Sequence, residues 1–431
     1  MVLPMTAKIN KDNHLEIGGC DAVELTSEFG TPLFVYDEAA VLSRCREYRT
    51  GFSGGPTPVE VIYAAKAFLC LDFARLIAAE GLSIDVSSGG ELYVALKAGF
   101  PVERIYMHGN NKTPQELELA LENNIGRIVV DSFDELAALD RLAGAMDRRP
   151  KIFLRLTPGI KPQTHKYIQT GQIDSKFGFG IDDGLAKRAV ELAVAAKNVE
   201  LVGLHMHIGS QIFGLDSYAK AIEILMDFVA GLKETVGFEP KKLNIGGGLG
   251  IKYRMDDQPA SIADYAKVVF DAVVAAAKKT GSALPELAIE PGRSIVGSAG
   301  VTLYRVGTIK EVPNVRTYIS VDGGMSDNLR PMLYDAVYEA LLANKASDSS
   351  VAPVTVAGKH CESGDILVKD VKLPKPEIGD ILCTPATGAY CYAIANNYNL
   401  QPRPAVIMVK DGRARTIIKR ESYEDLTRNQ Q

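Results

Sequence analysis

Residues 59–68 read Val-Glu-Val-Ile-Tyr-Ala-Ala-Lys-Ala-Phe. A β-branched, apolar run gives way to small residues and then to one charge, Lys66. That is the profile of a buried strand running out into a turn. In an open doubly wound sheet the first strand normally empties into a G-x-G-x-x-G turn. Here it empties into Ala64-Ala65-Lys66-Ala67, without a glycine. The same strand-like run recurs at Ser83–Val86, Arg104–Met107, Arg127–Val130, Lys151–Leu156, Leu201–His207, Lys241–Ile245 and Glu286–Ile289. Stretches of helical period separate them, at Asp72–Ala79, Gly90–Ala98, Thr113–Asn123, Ser132–Ala145, Asp183–Ala196, Ser217–Thr235 and Ile262–Thr280. Thr113 before Pro114, and Ser132 three residues before Glu135, are helix-start signals. Eight strand–helix units in a row predict an α/β fold, a closed (β/α)8 TIM-type barrel.

Beyond Arg293 the texture changes. Alternating runs appear at Tyr304–Val312, Thr317–Val321, Val354–Val356 and Asp380–Cys383. Asp411-Gly412 then sits between two alternating runs, a strong hairpin signal. Strands are also expected near Leu15–Ile17 and Leu33–Tyr36. The expected organisation is a barrel over 37–293 and a mostly β domain built from 1–36 plus 294–431, its one clear helix near Pro331–Ala343.

The chain has 431 residues, 46% hydrophobic and 23% charged, as a globular protein of about two domains should. With 48 Lys and Arg against 53 Asp and Glu, no basic excess points to nucleic acid or an anionic membrane. No apolar stretch approaches the roughly 18 residues of a membrane span, and no secretory signal is read at the N-terminus. The six cysteines (Cys20, Cys45, Cys70, Cys361, Cys383, Cys391) form no Cys-x-x-Cys pair. They read as free thiols in a reducing cytoplasm.

In a barrel, functional groups stand at the C-terminal ends of the strands. Those ends carry Lys66, Asp85 with Ser87 and Ser88, His108, Asp131, Arg155, His207, Gly246-Gly247-Gly248 and Glu290-Pro291-Gly292-Arg293. Lys66 is either a solvated lysine or a desolvated amine suited to a Schiff base. The glycines after strand seven, with Gly292 and Arg293 after strand eight, occupy the usual phosphate site of this fold. His205 and His207 share one face of their strand. They are packed histidines, rings stacked on a flat cofactor, or two ligands of a metal whose third would be His108 or a carboxylate. The absence of a ligand signature disfavours the metal. Glu290 needs a partner, either Arg293 or a protonated ring nitrogen. An amine, a phosphate cradle, a stacking ring and an acid together describe pyridoxal phosphate.

These residues belong to longer motifs: YAAKA (63–67), DVSSGGEL (85–92), HMHIGSQ (205–211), NIGGGLGIKY (244–253), EPGR (290–293), GGMSDNLRPMLY (323–334), CESGD (361–365) and GAY (388–390). In them the chain resembles the diaminopimelate decarboxylases, within the barrel-type pyridoxal-phosphate decarboxylases and racemases. The resemblance implies decarboxylation of meso-2,6-diaminopimelate to L-lysine and CO2 by a head-to-tail homodimer with shared active sites. It makes Lys66 the Schiff-base lysine and His207 the stacking ring. Ser210, Gly246, Gly247 and Gly248 become phosphate ligands, and Glu290 the pyridinium partner. Asp85, Pro291 and Gly292 fall beside them as further cofactor contacts. Arg293, Arg330 and Tyr334 become ligands of the substrate carboxylate, and Glu362 holds the distal ammonium. Cys361 is the proton donor, and Cys361 and Glu362 come from the partner subunit. Tyr390 contacts both phosphate and substrate. Other readings are a related decarboxylase for another basic amino acid or carboxynorspermidine, a racemase, and a non-catalytic pyridoxal-phosphate-binding protein. A segment over His165–Gly180 is expected to cover the site.

Overall fold

The computed structural model describes residues 2–160 and 175–431; most of the expected covering segment, 165–174, lies outside them. The chain divides into two compact units, one of residues 45–250 and 259–292, the other of residues 1–44, 251–258 and 293–431.

The first unit is the barrel. Its strands are β1 (Val59–Ala64), β2 (Ser83–Val86), β3 (Ile105–Met107), β4 (Arg127–Val130), β5 (Lys151–Thr157), β6 (Glu200–Met206), β7 (Lys242–Asn244) and β8 (Glu286–Ile289). Each pairs in parallel with the next, and β8 pairs with β1, so no edge remains. Ile62, Tyr106, Val129, Phe153, Val202 and Ala288 pack together as one core cluster. At the strands' N-terminal end Glu60 accepts from Lys242 at 2.6 Å, Tyr106 at 2.7 Å and Ser83 at 2.5 Å. Burial raises the Glu60 carboxyl, but Lys242 outweighs it and holds the group ionised.

The connecting helices follow the capping chemistry. Thr113 and Glu116 form a reciprocal capping box with Pro114 in the first turn of its helix. Ser132 accepts from the Glu135 amide. Lys112 is buried and donates to the Gly109 and Val129 carbonyls at 2.8 and 2.7 Å and to Glu135 at 2.7 Å. Glu135 in turn accepts from the Asp131 amide at 3.0 Å. A side chain that reads as solvated in the sequence thus ties two strand ends together.

The second unit is mostly β. The long strand Gly300–Val312 pairs antiparallel with Leu33–Asp37, Arg316–Val321 and Ile381–Thr384. Leu33–Asp37 also pairs with Ala405–Lys410, whose hairpin partner is Arg413–Ile418. The turn residues Asp411 and Gly412 have φ of 50° and 74°, the double left-handed geometry that asparagine or aspartate followed by glycine favours. The helix expected over Pro331–Ala343 is a correction: the helix spans only Arg330–Tyr334. Asp335 turns left-handed at φ 51°, and Leu341–Leu342 pairs instead with Ile381–Thr384. The strand Ile366–Leu373, paired with Ala352–Ala357, was not anticipated. Among the described residues, no helix is long and apolar enough to cross a membrane.

Candidate active site

The C-terminal ends of the barrel strands gather polar groups around Glu290. Its Oε1 accepts from Asn244 at 2.7 Å and lies 2.9 Å from Nε2 of His108. Its Oε2 meets Nε2 of His205 at 3.1 Å. The two imidazoles pack edge to face at 4.8 Å. Burial opposes ionisation of Glu290, but the two imidazoles outweigh it and hold the carboxyl well below its usual range. Burial also pushes His205 down to about 4 and lowers His108, against the pull of Glu290. These shifts describe an anionic carboxylate beside two neutral imidazoles, hydrogen-bonded to His205 and to the Asn244 amide. His108, His205 and Glu290 could between them offer three ligands to a metal; Glu290 also accepts from Asn244, which is no ligand.

Above this layer stands Lys66, in the 3-10 turn Ala65–Ala67 that follows β1. The sequence left Lys66 as either a solvated lysine or a desolvated amine. In the structure Lys66 is exposed while Ala65 and Ala67 are buried, because the turn carries its side chain off the apolar strand. Nδ1 of His207 faces the Gly247 amide at 3.3 Å, which sets the ring's orientation. Burial lowers His207 well below its ordinary value, with the charges of Lys66 and Arg155 adding to it. Asp85 is buried and its Oδ1 has no hydrogen-bond partner. Burial, then the charge of Glu290, raise it well above the usual carboxylate range.

The glycine run after β7 is required by packing. A Cβ on Gly247 would stand 2.0 Å from the Glu290 carbonyl, and one on Gly248 2.3 Å from the Gly209 carbonyl. The loop after β6, which carries Ser210, is thereby pressed against the loops after β7 and β8. Beside them Arg155 stacks on Phe177 at 4.2 Å and faces Asp131 at 3.8 Å, and Asp131 accepts from the Gly178 amide at 2.6 Å. A cavity of about 980 Å3 opens at the opposite end of the strands, lined by Arg46, Arg49, Gly54 and Gly81. It holds none of these groups, and Arg46 is already taken by Glu80 at 2.9 Å.

In the second unit Arg293 and Arg330 are both buried, each 6% exposed. Arg293 reaches the Tyr253 hydroxyl at 2.5 Å and lies over the Tyr390 ring at 4.7 Å. Arg330 lies over the Tyr253 ring at 4.5 Å and donates to the Tyr338 hydroxyl. Among the described residues no carboxylate lies within ion-pair distance of Arg330, whose neighbours are Tyr253, Tyr338 and Cys391. A buried cation without an anion is costly, so this position suits an anionic ligand. Tyr390 holds φ at 58°, an uncommon conformation for a side chain of its size. Cys361 is exposed and Glu362 half-buried. The Glu362 carboxylate accepts from the Gly364 amide of its own loop at 3.2 Å. Tyr334, half-buried, closes the short helix that begins at Arg330.

Sequence reasoning gave no role to Asn244, Tyr253 or Tyr338. Tyr253 ends a recognised motif, but its partners lie far along the chain.

The His205 shift sets a test. An imidazole held neutral by burial binds its proton less readily folded than unfolded. Between pH 6.5 and about 4 the unfolded chain therefore holds more protons at this site, and the folded state loses stability as pH falls. The span corresponds to roughly 3 kcal/mol. Asp85 titrates in the opposite sense, so the measurement is the difference in Tm between wild type and His205→Phe across that window. The gap should change by several degrees; a constant gap would show that His205 is not held neutral.

A family model described as pyridoxal-dependent decarboxylase, pyridoxal binding domain, matches residues 38–297. A diaminopimelate decarboxylase of Bacillus subtilis is 48% identical over 99% of this chain and 98% of its own length. A crystal structure of diaminopimelate decarboxylase from M. jannaschii, in complex with L-lysine, superposes with a TM-score of 0.93 at 36% identity, covering 99% of this chain and 98% of that one. A lysine/ornithine decarboxylase from Vibrio vulnificus shares the fold, at TM-score 0.76 and 22% identity over 91% of this chain and 99% of that one. By the matched domain and by full-length identity, the chain belongs to the pyridoxal-dependent decarboxylases and, among them, to the diaminopimelate decarboxylase family.

Proposed function

We propose that this chain decarboxylates meso-2,6-diaminopimelate to L-lysine and CO2, in the cytoplasm and as a homodimer. Pyridoxal phosphate is the cofactor of the family to which the chain belongs, and the barrel's strand ends fit it. The exposed Lys66 amine, the close-packed Gly246, Gly247 and Gly248, and an anionic carboxylate in Glu290 match its aldehyde, phosphate and ring nitrogen. Asp85 adds a buried carboxyl to that set, raised above the usual carboxylate range by burial and by Glu290, with one oxygen, Oδ1, unpaired. When bound, the cofactor supplies a pyridinium ring that draws electrons from the substrate's α-carbon.

The chain's residues do the rest. Lys66 holds the cofactor through Nζ. Ser210 and the glycine amides take the phosphate, with Pro291, Gly292 and Arg293 on the adjoining loop. His207 would stack on the ring, and Glu290 would keep a proton on the ring nitrogen. Arg293, Arg330 and Tyr334 take the substrate's distal carboxylate, and Tyr390 contacts substrate and phosphate. Glu362 takes the distal ammonium, and Cys361 returns a proton to the α-carbon, both from the partner subunit. The exposure of Cys361 supports that sharing.

The observation that carries the substrate is Arg330. It is a buried guanidinium with no carboxylate in reach among the described residues, and the far end of diaminopimelate provides one. Ornithine and lysine have none there.

The test is to load the protein with pyridoxal phosphate, add meso-diaminopimelate, and measure CO2 and lysine. Stoichiometric release of both is expected, with ornithine poorly used. Borohydride should fix the cofactor on the peptide containing Lys66. Label on another lysine would overturn the site assignment, and equal turnover of ornithine would overturn the substrate.

A further inference from the structure

We propose that Tyr253 is a positioning residue that fixes the spacing of the Arg293 and Arg330 guanidinium groups, and so makes the site select diamino diacids by chain length. The inference rests on the reading of both arginines as substrate-carboxylate ligands. It adds a residue to which neither the motifs nor the family gave a role.

The geometry is that of one ring used twice. The hydroxyl of Tyr253 accepts from Nη1 of Arg293 at 2.5 Å. Its face carries Arg330 at 4.5 Å from the ring centroid. One phenol therefore sets both cations, the first by its edge and the second by its face. The ring itself cannot drift. It is buried, it stands edge to face against Tyr338 at 5.4 Å and 81°, and its backbone amide donates to Asp257 at 2.8 Å. Tyr338 closes the arrangement, since its hydroxyl accepts from Arg330.

The chemistry of these contacts fits the role. Two guanidinium groups repel one another, and buried side by side they would separate unless held. Carboxylates could hold them, but they would neutralise the charge meant for the substrate. A neutral phenol holds both and leaves their charge available. A cation over an aromatic face is stabilised by the ring quadrupole and keeps its in-plane N–H donors free. The in-plane edge is what binds a carboxylate in a bidentate way. A carboxylate taken there has its position fixed by Tyr253. A chain one methylene longer or shorter delivers its carboxylate displaced by about one C–C bond, roughly 1.5 Å, and an offset of that size spoils two-point hydrogen bonding.

The test uses cofactor-loaded enzyme with meso-2,6-diaminopimelate and its shorter and longer homologues, 2,5-diaminoadipate and 2,7-diaminosuberate. Tyr253→Phe removes the hydroxyl from Arg293 and keeps the face under Arg330. Tyr253→Leu removes both. Tyr338→Phe removes only the hydroxyl that meets Arg330. A hydrogen bond to a charged group corresponds to roughly tenfold or more in affinity. The preference for diaminopimelate over either homologue should therefore fall about tenfold in Tyr253→Phe and further in Tyr253→Leu. The change should appear in KM for diaminopimelate, with kcat largely kept and the visible cofactor band unaltered. Arg330→Ala is the control. If it abolishes the preference while Tyr253→Leu retains it, Tyr253 is not the spacer. If Arg330→Ala also leaves the preference intact, the assignment of Arg330 to the substrate is itself wrong. Should Tyr253→Leu fail to fold, Tyr253→Phe and Tyr338→Phe decide, and an unchanged preference in both overturns the proposal.

Discussion

Glu290→Gln should lower kcat by roughly 10²-fold or more, the cost of losing one preorganised electrostatic group, while the protein still binds pyridoxal phosphate. Glu290 accepts from Asn244 at 2.7 Å, and both of its oxygens are approached by imidazole nitrogens. An anion in that position keeps a proton on a ring nitrogen, and a neutral amide does not. The substituted amide also turns an N–H toward His205 or the Asn244 amide, which already donates, so the local network loses its common acceptor. The loss should lie in kcat and not in KM, because the carboxylate acts on the electronics of the ring and not on the substrate's distal end. A second readout is the pH dependence of the cofactor's visible band, which should differ from wild type. A change confined to KM would remove Glu290 from this role.

The barrel was legible because its signals are local. Each strand is a short β-branched run, and each helix has its own period and often its own cap. The closing pair, β8 with β1, needs no signal of its own once eight units are counted. The misread helix shows the opposite case. Apolar residues spaced through 331–343 mimic a helical period, but Leu341–Leu342 is claimed by a strand some forty residues later, and Asp335 breaks the helix at φ 51°. Tertiary pairing overrode local pattern. The strand Ile366–Leu373 escaped because its exposed face breaks the alternation with Lys369 and Asp370.

The site divides in the same way. Lys66, the glycine run, Glu290 and Arg293 stand out because a charge or a glycine interrupts an apolar strand end. Tyr253 and Tyr338 could not be found in that manner. A tyrosine near a motif is ordinary, and only the fold sets it between two arginines 40 and 77 positions further on. Lys112 gives the same lesson, since nothing in its neighbourhood announces a buried ammonium shared among three acceptors. The proposed partner contribution is a different matter again. Within a single chain Cys361 is exposed and Glu362 folds onto its own loop. A group that completes a neighbour's site leaves in its own chain only the absence of an internal role.

That absence leads to the second large effect. Lys66→Ala and Cys361→Ala should each be nearly inactive alone, and mixing them should restore activity. If Cys361 serves the other protomer, a heterodimer of the two variants has one site with neither group and one site with both. At equal mixing half the dimers are heterodimers, and each has one intact site of two. Activity should therefore return to about a quarter of wild type. Subunit exchange has to be established first, by isolating mixed dimers from differently tagged chains, because unexchanged homodimers would give zero for a trivial reason. The recovered activity should also scale with the fraction of mixed dimers, passing through its maximum at equal amounts of the two chains. Lys66→Ala with Lys66→Arg supplies the matched control, since both lesions then fall on the same half and no mixture can rebuild a site. Confirmed heterodimers of Lys66→Ala with Cys361→Ala that stay inactive would place both groups in one chain. The exposure of Cys361 would then require an explanation within the protomer.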